Sequence, residues 1–274
     1  MEPFVTNGRP IGVIDSGIGG FSVVKAVQQM LPGEDLVYFG DGANTPYGNY
    51  DACAILNMTR YMLEFMRGQQ IKLLLVACNT ISCLIPEFEG EMDCPVLSVV
   101  QAGAQAAARV PQRRIGVVST CFTHSTGCYP RAIRELAPEK EVVSYGCANL
   151  ARLVETRLGV PEGQRELTEE LRQDFMHLVT GEKIDTCLLG CTHFPLVEDQ
   201  IRTLYPGLEL LDPAREMVRM AGERLGREGL AAEAGRKGGL WIYTTGDPGD
   251  YREKARRVGL AHIRDVAHYP PKRP

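Results

Sequence analysis

The stretch Ile71–Thr80 reads I-K-L-L-L-V-A-C-N-T. Its centre is apolar at consecutive positions, without the alternation of a sheet face turned to water. A strand of that kind is covered on both faces, as in a parallel sheet between layers of helices. It runs into a polar cluster, Cys78-Asn79-Thr80, where the chain must turn. The stretch Ile184–His193, I-D-T-C-L-L-G-C-T-H, has the same design, with a cysteine at the matching place. Upstream, I-G-V-I-D-S-G (Ile11–Gly17) matches I-G-V-V-S-T-C (Ile115–Cys121) at a similar separation. Two matched pairs in the same order imply two related halves. Chance similarity accounts for the strands alone, but less readily for paired cysteines just past their ends.

Outward from these stretches, short β-branched runs alternate with amphipathic ones. Strands are expected at Ile11–Ile14, Leu36–Phe39, Lys72–Ala77, Val96–Val99, Arg114–Val118, Glu141–Ser144, Asp185–Leu189, Glu209–Leu211 and Leu240–Thr244. Helices are expected at Ser22–Leu31, Asp51–Met66, Glu166–Thr180, Pro213–Leu225 and Asp250–Val258. This alternation predicts an α/β fold with mostly parallel sheets. The Gly- and Ala-rich segment Ala231–Gly239 reads as a surface loop.

The composition agrees. The chain has 274 residues, of which 44% are hydrophobic, enough for one large domain or two of about 130 residues. With 30 Lys+Arg against 34 Asp+Glu, the net charge of −4 gives no bulk attraction to nucleic acid or an anionic membrane. The longest apolar run, Leu73–Cys78, is far short of the roughly 20 residues of a membrane span. Residues 1–10, M-E-P-F-V-T-N-G-R-P, show no basic start followed by an apolar core, so no secretory signal is expected. Nine cysteines, an odd number spread along a long chain, read as free thiols in a reducing cytoplasm.

In open α/β sheets, ligands bind beyond the carboxyl ends of the strands. Polar clusters stand at such ends: Asp15-Ser16-Gly17, Cys78-Asn79-Thr80, Thr120 to Thr123 and Cys191-Thr192-His193, with the loop Asp41–Gly48 after another strand. If the halves face each other, Cys78 and Cys191 meet across one cleft. Each then lies just before a helix, whose positive end favours a thiolate. Cys53, Cys83, Cys94, Cys128, Cys147 and Cys187 read as core thiols. The pair Cys191-x-His193 lacks a second Cys/His pair at zinc spacing, so no metal site is expected. His177, His262 and His268 read as surface or structural, and His124 stays open. The turn D-S-G-I-G-G (Asp15–Gly20) could cradle an anion with backbone N–H groups. A tight turn at positive φ explains its glycines equally well, and Asp15 could be a catalytic group or a helix cap. Neither a dinucleotide fingerprint nor a phosphate loop is present.

These residues resemble the glutamate racemases, within the cofactor-independent aspartate/glutamate racemase group, from about Ile11 to Gly259. The likeness is carried by D-S-G-I-G-G, D-G-A-N-T-P-Y-G, V-A-C-N-T-I-S, T-C-F-T-H-S-T-G-C-Y, L-V-E at Leu153–Glu155, L-G-C-T-H-F-P-L, L-D-P-A at Leu211–Ala214 and Y-T-T-G-D at Tyr243–Asp247. It implies two similar α/β lobes related by a pseudo-twofold, with the active site in the cleft between them. Residues 1–99 with 211–274 would form one lobe and 100–210 the other. It further implies that Cys78 and Cys191 are the catalytic bases, with Asp15 and His193 assisting, one beside each thiol. Ser16, Pro46, Tyr47, Gly48, Asn79, Thr80, Thr123 and Thr192 would hold the substrate's carboxylates and ammonium, with Glu155 near the ammonium side. The implied reaction interconverts L- and D-glutamate for peptidoglycan, without a cofactor, in a cytoplasmic homodimer.

The chain departs from the group's usual pattern at Gly42 and Asn44, at Ser119-Thr120, at His124, and at Asn149 and Arg152, which are polar where apolar packing is usual. Three other readings remain beside this one. They are a relative acting on aspartate or another carbonyl acid as racemase, isomerase or decarboxylase; a non-catalytic amino-acid binding module; and a thiol-redox protein, which would need cysteines within bonding distance.

Overall fold

A computed structural model describes residues 8–272. Residues 1–7, which make up most of the segment read for a secretory signal, and the last two residues of the expected first lobe lie outside it. The elements in chain order are β1 (Ile11–Asp15), α1 (Phe21–Met30), β2 (Leu36–Gly40), α2 (Ala52–Gly68), β3 (Leu73–Val76), α3 (Asn79–Ser82), β4 (Val96–Ser98), α4 (Val99–Arg109), β5 (Arg114–Thr120), α5 (Cys121–Thr126), α6 (Cys128–Leu136), β6 (Glu141–Cys147), α7 (Leu150–Arg157), α8 (Gln164–Met176), β7 (Thr186–Gly190), α9 (Glu198–Leu204), β8 (Glu209–Leu211), α10 (Pro213–Arg227), β9 (Leu240–Thr244), α11 (Pro248–Arg257) and β10 (Ile263–His268).

The strands sort into a six-stranded sheet, β10-β9-β2-β1-β3-β4, and a four-stranded sheet, β6-β5-β7-β8. Every pairing between neighbours is parallel. The order β2-β1-β3-β4 has its counterpart in β6-β5-β7-β8, and the matched stretches in the sequence are the adjacent strands β1 and β3 in one sheet and β5 and β7 in the other. In each sheet the chain leaves its first strand to one side and returns on the other, so a crevice opens at the carboxyl ends of β1 and β5.

The consecutive apolar residues of these strands serve two cores. Leu73 and Leu75 of β3 point into one cluster with Val24, Met217 and Ala221, while Leu74 and Val76 point into another with Met62 and Phe88. In β7, Cys187 and Leu189 serve one face and Leu188 the other. A period of two with both faces covered yields the unbroken apolar run. Each fully buried Leu or Val contributes about 1.5–3 kcal/mol. Helix starts follow local chemistry: Asp51 accepts from Ala54 N–H at 2.9 Å, and Asp212 accepts from Ala214 N–H at 2.9 Å ahead of Pro213.

Several expectations need correction. Helices α4, α5, α6, α7 and α9 and strand β10 lie outside the expected elements. Gly17, Gly19 and Gly20 are not among the residues with positive φ; close packing requires them instead, since a Cβ at Gly19 would run into Thr192 and His193. Asp15 does not cap α1, whose N-terminus is at Gly20. Cys53 is exposed and Cys83 and Cys94 are only partly buried, whereas Cys128, Cys147 and Cys187 are buried as expected. Asn149 and Arg152 lie on an exposed face of the α7 region, where polarity costs nothing.

Candidate active site

The carboxyl ends of β1, β3, β5 and β7 converge on one small cavity. Cys78 and Cys191 both line it, together with Ser16, Asn79, Thr80 and Thr192. Pro46, Tyr47, Gly48 and His193 complete the expected part of its wall. Thr120, expected only as part of a strand-end polar cluster and given no role, also lines it, as does Ala151, which the sequence did not single out. The cavity measures about 10 Å³, room for about one water molecule, so an amino acid enters only if its walls part. A much larger cavity, about 950 Å³, opens elsewhere, near Lys25, Arg202 and Arg257, and holds neither thiol.

Around Cys78 the partners are a hydroxyl and a carboxyl group. Its Sγ donates to Ser16 Oγ at 3.7 Å. Burial, reinforced by the Asp15 carboxylate, pushes the thiol up to about 12 despite the Ile81 N–H at the start of α3. The helix end therefore loses to desolvation here, contrary to the expectation of a lowered thiol. Asp15 lies beneath the cavity wall, accepting from Gly17 N–H at 2.9 Å and from the Thr192 hydroxyl at 3.0 Å. Burial raises its carboxyl to about 6, with the His193 charge and the two hydrogen bonds opposing.

Around Cys191 the partner is a cation. His193 Nδ1 is 3.8 Å from its Sγ, and His193 Nε2 is 2.5 Å from Glu155 Oε2. Burial works against the imidazolium, but the hydrogen bonds to Cys191 and Glu155 and the Glu155 charge hold its pKa well above the ordinary value. Glu155 is itself held below the usual carboxylate range: burial would raise it, but His193, the Ile18 N–H and Lys254 outweigh that. The Ile18 N–H donates to it at 3.1 Å. Its carboxylate thus stands behind His193 and is not part of the cavity wall.

A hydroxyl and amide network borders the same cavity. Thr80 Oγ1 is 3.2 Å from Thr120 Oγ1, and Thr120 Oγ1 donates to Thr123 Oγ1 at 3.1 Å. Thr123 is thus one step behind the wall. Its own N–H donates to Thr120 Oγ1 at 3.3 Å, which makes Thr120 the cap of α5. Asn79 links the sheets. Oriented by its partners, its amide nitrogen donates to Tyr129 Oη at 2.5 Å and to the Gly190 carbonyl at 3.3 Å, and its oxygen accepts from Thr192 N–H at 3.3 Å. Tyr47 is anchored from below, its hydroxyl donating to Asp41 Oδ2 at 2.5 Å.

The unusual Asn44 belongs to this anchor. Its amide donates to both Asp41 oxygens, at 3.1 and 3.0 Å. His124 is exposed, with Nδ1 2.8 Å from Ser144 Oγ, away from the cavity. Thr120 had a signal in the sequence, because the repeat matches it to Ser16. Ala151 had none. Among the described residues, no group of three or more His, Cys, Asp or Glu is arranged as a metal-ligand set, and no helix is long and apolar enough to cross a membrane.

The resemblance read from the motifs is borne out by comparison with known proteins. Residues 11–221 match the family described as Asp/Glu/hydantoin racemase. A glutamate racemase of Lactobacillus helveticus is 33% identical over 263 residues, covering 93% of this chain and 95% of that protein. A solved glutamate racemase isoform of Bacillus anthracis shares the fold with a TM-score of 0.88 at 32% identity, over 97% of this chain and 100% of that one. A glutamate racemase of Francisella tularensis, solved in complex with D-glutamate, gives 0.84 at 26% identity over 97% and 98%. Fold and relatives together define an amino-acid racemase. The chain belongs to the Asp/Glu/hydantoin racemase family.

Proposed function

We propose that this racemase interconverts L- and D-glutamate by a two-base mechanism, with Cys78 and Cys191 as the proton-transferring groups. The observation that carries the reading is the pair of thiols on one cavity wall at matched strand ends. Racemisation removes the α-proton from one face of the substrate and returns one to the other, which calls for an acid/base group on each side of a planar carbanion. Cys78, with its pKa pushed up to about 12, holds its proton at neutral pH and gives it up only to a stronger base such as the substrate carbanion. At Cys191 the protonated His193 offers a sulfur anion a charge partner. In the L-to-D direction Cys191 takes the α-proton and Cys78 supplies the new one. After turnover the protons are reversed and D-glutamate is served.

Ser16, Asn79, Thr80 and Thr192, with Pro46, Tyr47, Gly48 and Thr123, are proposed to hold the carboxylates and ammonium. Hydroxyl and amide donors aimed into a water-poor cleft would stabilise the developing charge without a cofactor. Asp15 is proposed to tune Cys78, and Glu155 to hold His193 protonated and oriented. The division into lobes, 1–99 with 211–274 and 100–210, belongs to the same proposal and is supported by the sorting of strands into two sheets. A cytoplasmic location, a homodimer, and a role in supplying D-glutamate for peptidoglycan belong to it as well, the last supported by the naming of its relatives as glutamate racemases. Incubation with L-glutamate and, separately, L-aspartate, followed by circular dichroism, tests the reading. Loss of optical activity with glutamate is expected. Loss with aspartate alone would move the substrate to the shorter acid, and no change with either would leave a binding module.

A further inference from the structure

Cys83 and Cys128 stand outside the catalytic pair, and their sulfurs are 2.8 Å apart. Cys83 follows α3, on the chain leaving β3 of the six-stranded sheet, and Cys128 opens α6, beyond β5 of the four-stranded sheet. Cys83 is only partly buried. Its Sγ also donates to the Asn79 carbonyl at 3.3 Å, and Cys128 Sγ lies 3.9 Å from the Thr123 carbonyl. The two thiols therefore join the backbone of the segments that carry Asn79-Thr80 and Thr123, at the edge of the cleft where the two sheets meet.

We propose that Cys83 and Cys128 form a reversible disulfide that ties the two lobes together and holds the cleft shut. A disulfide needs its sulfurs at about 2.05 Å, so an approach of well under an ångström from the present separation closes the bond. The contact with Cys83 is the largest influence on Cys128 and, against burial and with the help of Thr126, the Tyr129 N–H and Arg131, lowers its pKa. Cys128 is thus the better nucleophile. With a hydroperoxide as oxidant, the Cys128 thiolate attacks the peroxide oxygen. The O–O bond breaks, the sulfur becomes a sulfenic acid, and the leaving oxygen takes up a proton. Cys83 Sγ then attacks that sulfur. The S–O bond breaks, water departs with the Cys83 proton, and the S–S bond forms. Two thiols give two electrons, and the peroxide is reduced. A cavity of about 10 Å³ admits substrate only by opening, so a covalent tie between its two sides stops turnover. That effect rests on the racemase reading, whereas the bond and its hold on the cleft do not.

The test treats the reduced protein with hydrogen peroxide at near-stoichiometric amounts. Non-reducing peptide mapping is expected to find Cys83 and Cys128 in one linked species, lighter by two hydrogens than the two thiol peptides. Alkylation of Cys78 and Cys191 by iodoacetamide, which reports opening independently of activity, should slow by about tenfold or more. Glutamate racemisation should fall in parallel, and dithiothreitol should restore both. Cys83→Ser and Cys128→Ser should racemise normally before oxidant and escape the reversible loss. Absence of the linked species overturns the proposal. So does a linked species with unslowed alkylation, or an equal reversible loss in the two Ser variants. Reduced protein that is alkylated normally but racemises neither enantiomer would defeat the functional reading, while the linked species and the alkylation rates still decide the disulfide.

Discussion

Cys78 and Cys191 occupy matching places in the two halves, one past β3 and the other past β7, yet they meet opposite company. Cys78 faces a hydroxyl and is pushed up by burial and by a carboxylate. Cys191 faces an imidazole whose pKa its contacts with Cys191 and Glu155 hold above the ordinary value against burial. A repeat supplies two equivalent thiols, and the residues beside them give the two sulfurs unlike surroundings. A two-base reaction needs one group as acid while the other is base, and unlike surroundings are what distinguish two like thiols.

Replacing either thiol should have the largest effect. Cys78→Ala and Cys191→Ala should each lower kcat/KM by about 100–10,000-fold, the usual contribution of a positioned acid or base. Near-normal turnover in either variant would remove that residue and with it the comparison. The Cys191 side is sharpened by Glu155→Gln. A hydrogen bond to a charged group is worth about 1.5–3 kcal/mol, so a loss of about 10–100-fold is expected. The same change removes the anion that holds the His193 proton. The imidazolium is then lost at lower pH, and the alkaline limb of the rate profile should move down. An unmoved limb would separate Glu155 from the charge state of His193.

The Cys78 side is sharpened by Asp15→Asn. Without the carboxylate that raises it, Cys78 should ionise more readily, and its alkylation at mildly alkaline pH should quicken several-fold while racemisation falls. Unchanged alkylation would show that burial alone sets this thiol. The smallest effect concerns cofactors. Dialysis against a chelator, or treatment with a carbonyl reagent, should leave the rate unchanged, whereas thiol alkylation should abolish it and excess glutamate should protect. Loss with chelator, reversed by zinc, would replace the two-thiol account with a metal one.

The sequence and the structure agree where chemistry and periodicity coincide. The apolar run Leu73–Val76 and its partner Thr186–Gly190 are strands, and the cysteines beyond them line one cavity. The missed elements have weak patterns. Strand β10, I-R-D-V-A-H, is an edge strand with a register shift against β9 and only Val266 buried. Helix α4, V-V-Q-A-G-A-Q-A-A-A-R, begins directly after β4 and buries mostly alanine and glycine on its packed face. In the site, the Glu155–His193 pair was hidden because the two residues sit on different elements and meet only in three dimensions. The same holds for Cys83 and Cys128, whose contact no spacing in the chain announces. The glycines of D-S-G-I-G-G were legible as a turn. Their reason, the close approach of Thr192 and Glu155 from the other half, was not.

Whether one thiol serves each face of the substrate is decided by proton traffic in deuterated water. L-glutamate is incubated with the enzyme and sampled early. Cys191 takes the α-hydrogen, and Cys78, already exchanged with solvent, delivers deuterium to the opposite face. Newly formed D-glutamate should carry solvent deuterium and unreacted L-glutamate little, with the mirror pattern when the reaction starts from D-glutamate. Early product that retains the substrate's own hydrogen, with no solvent deuterium, would mean a single base working both faces and would contradict the two-thiol mechanism.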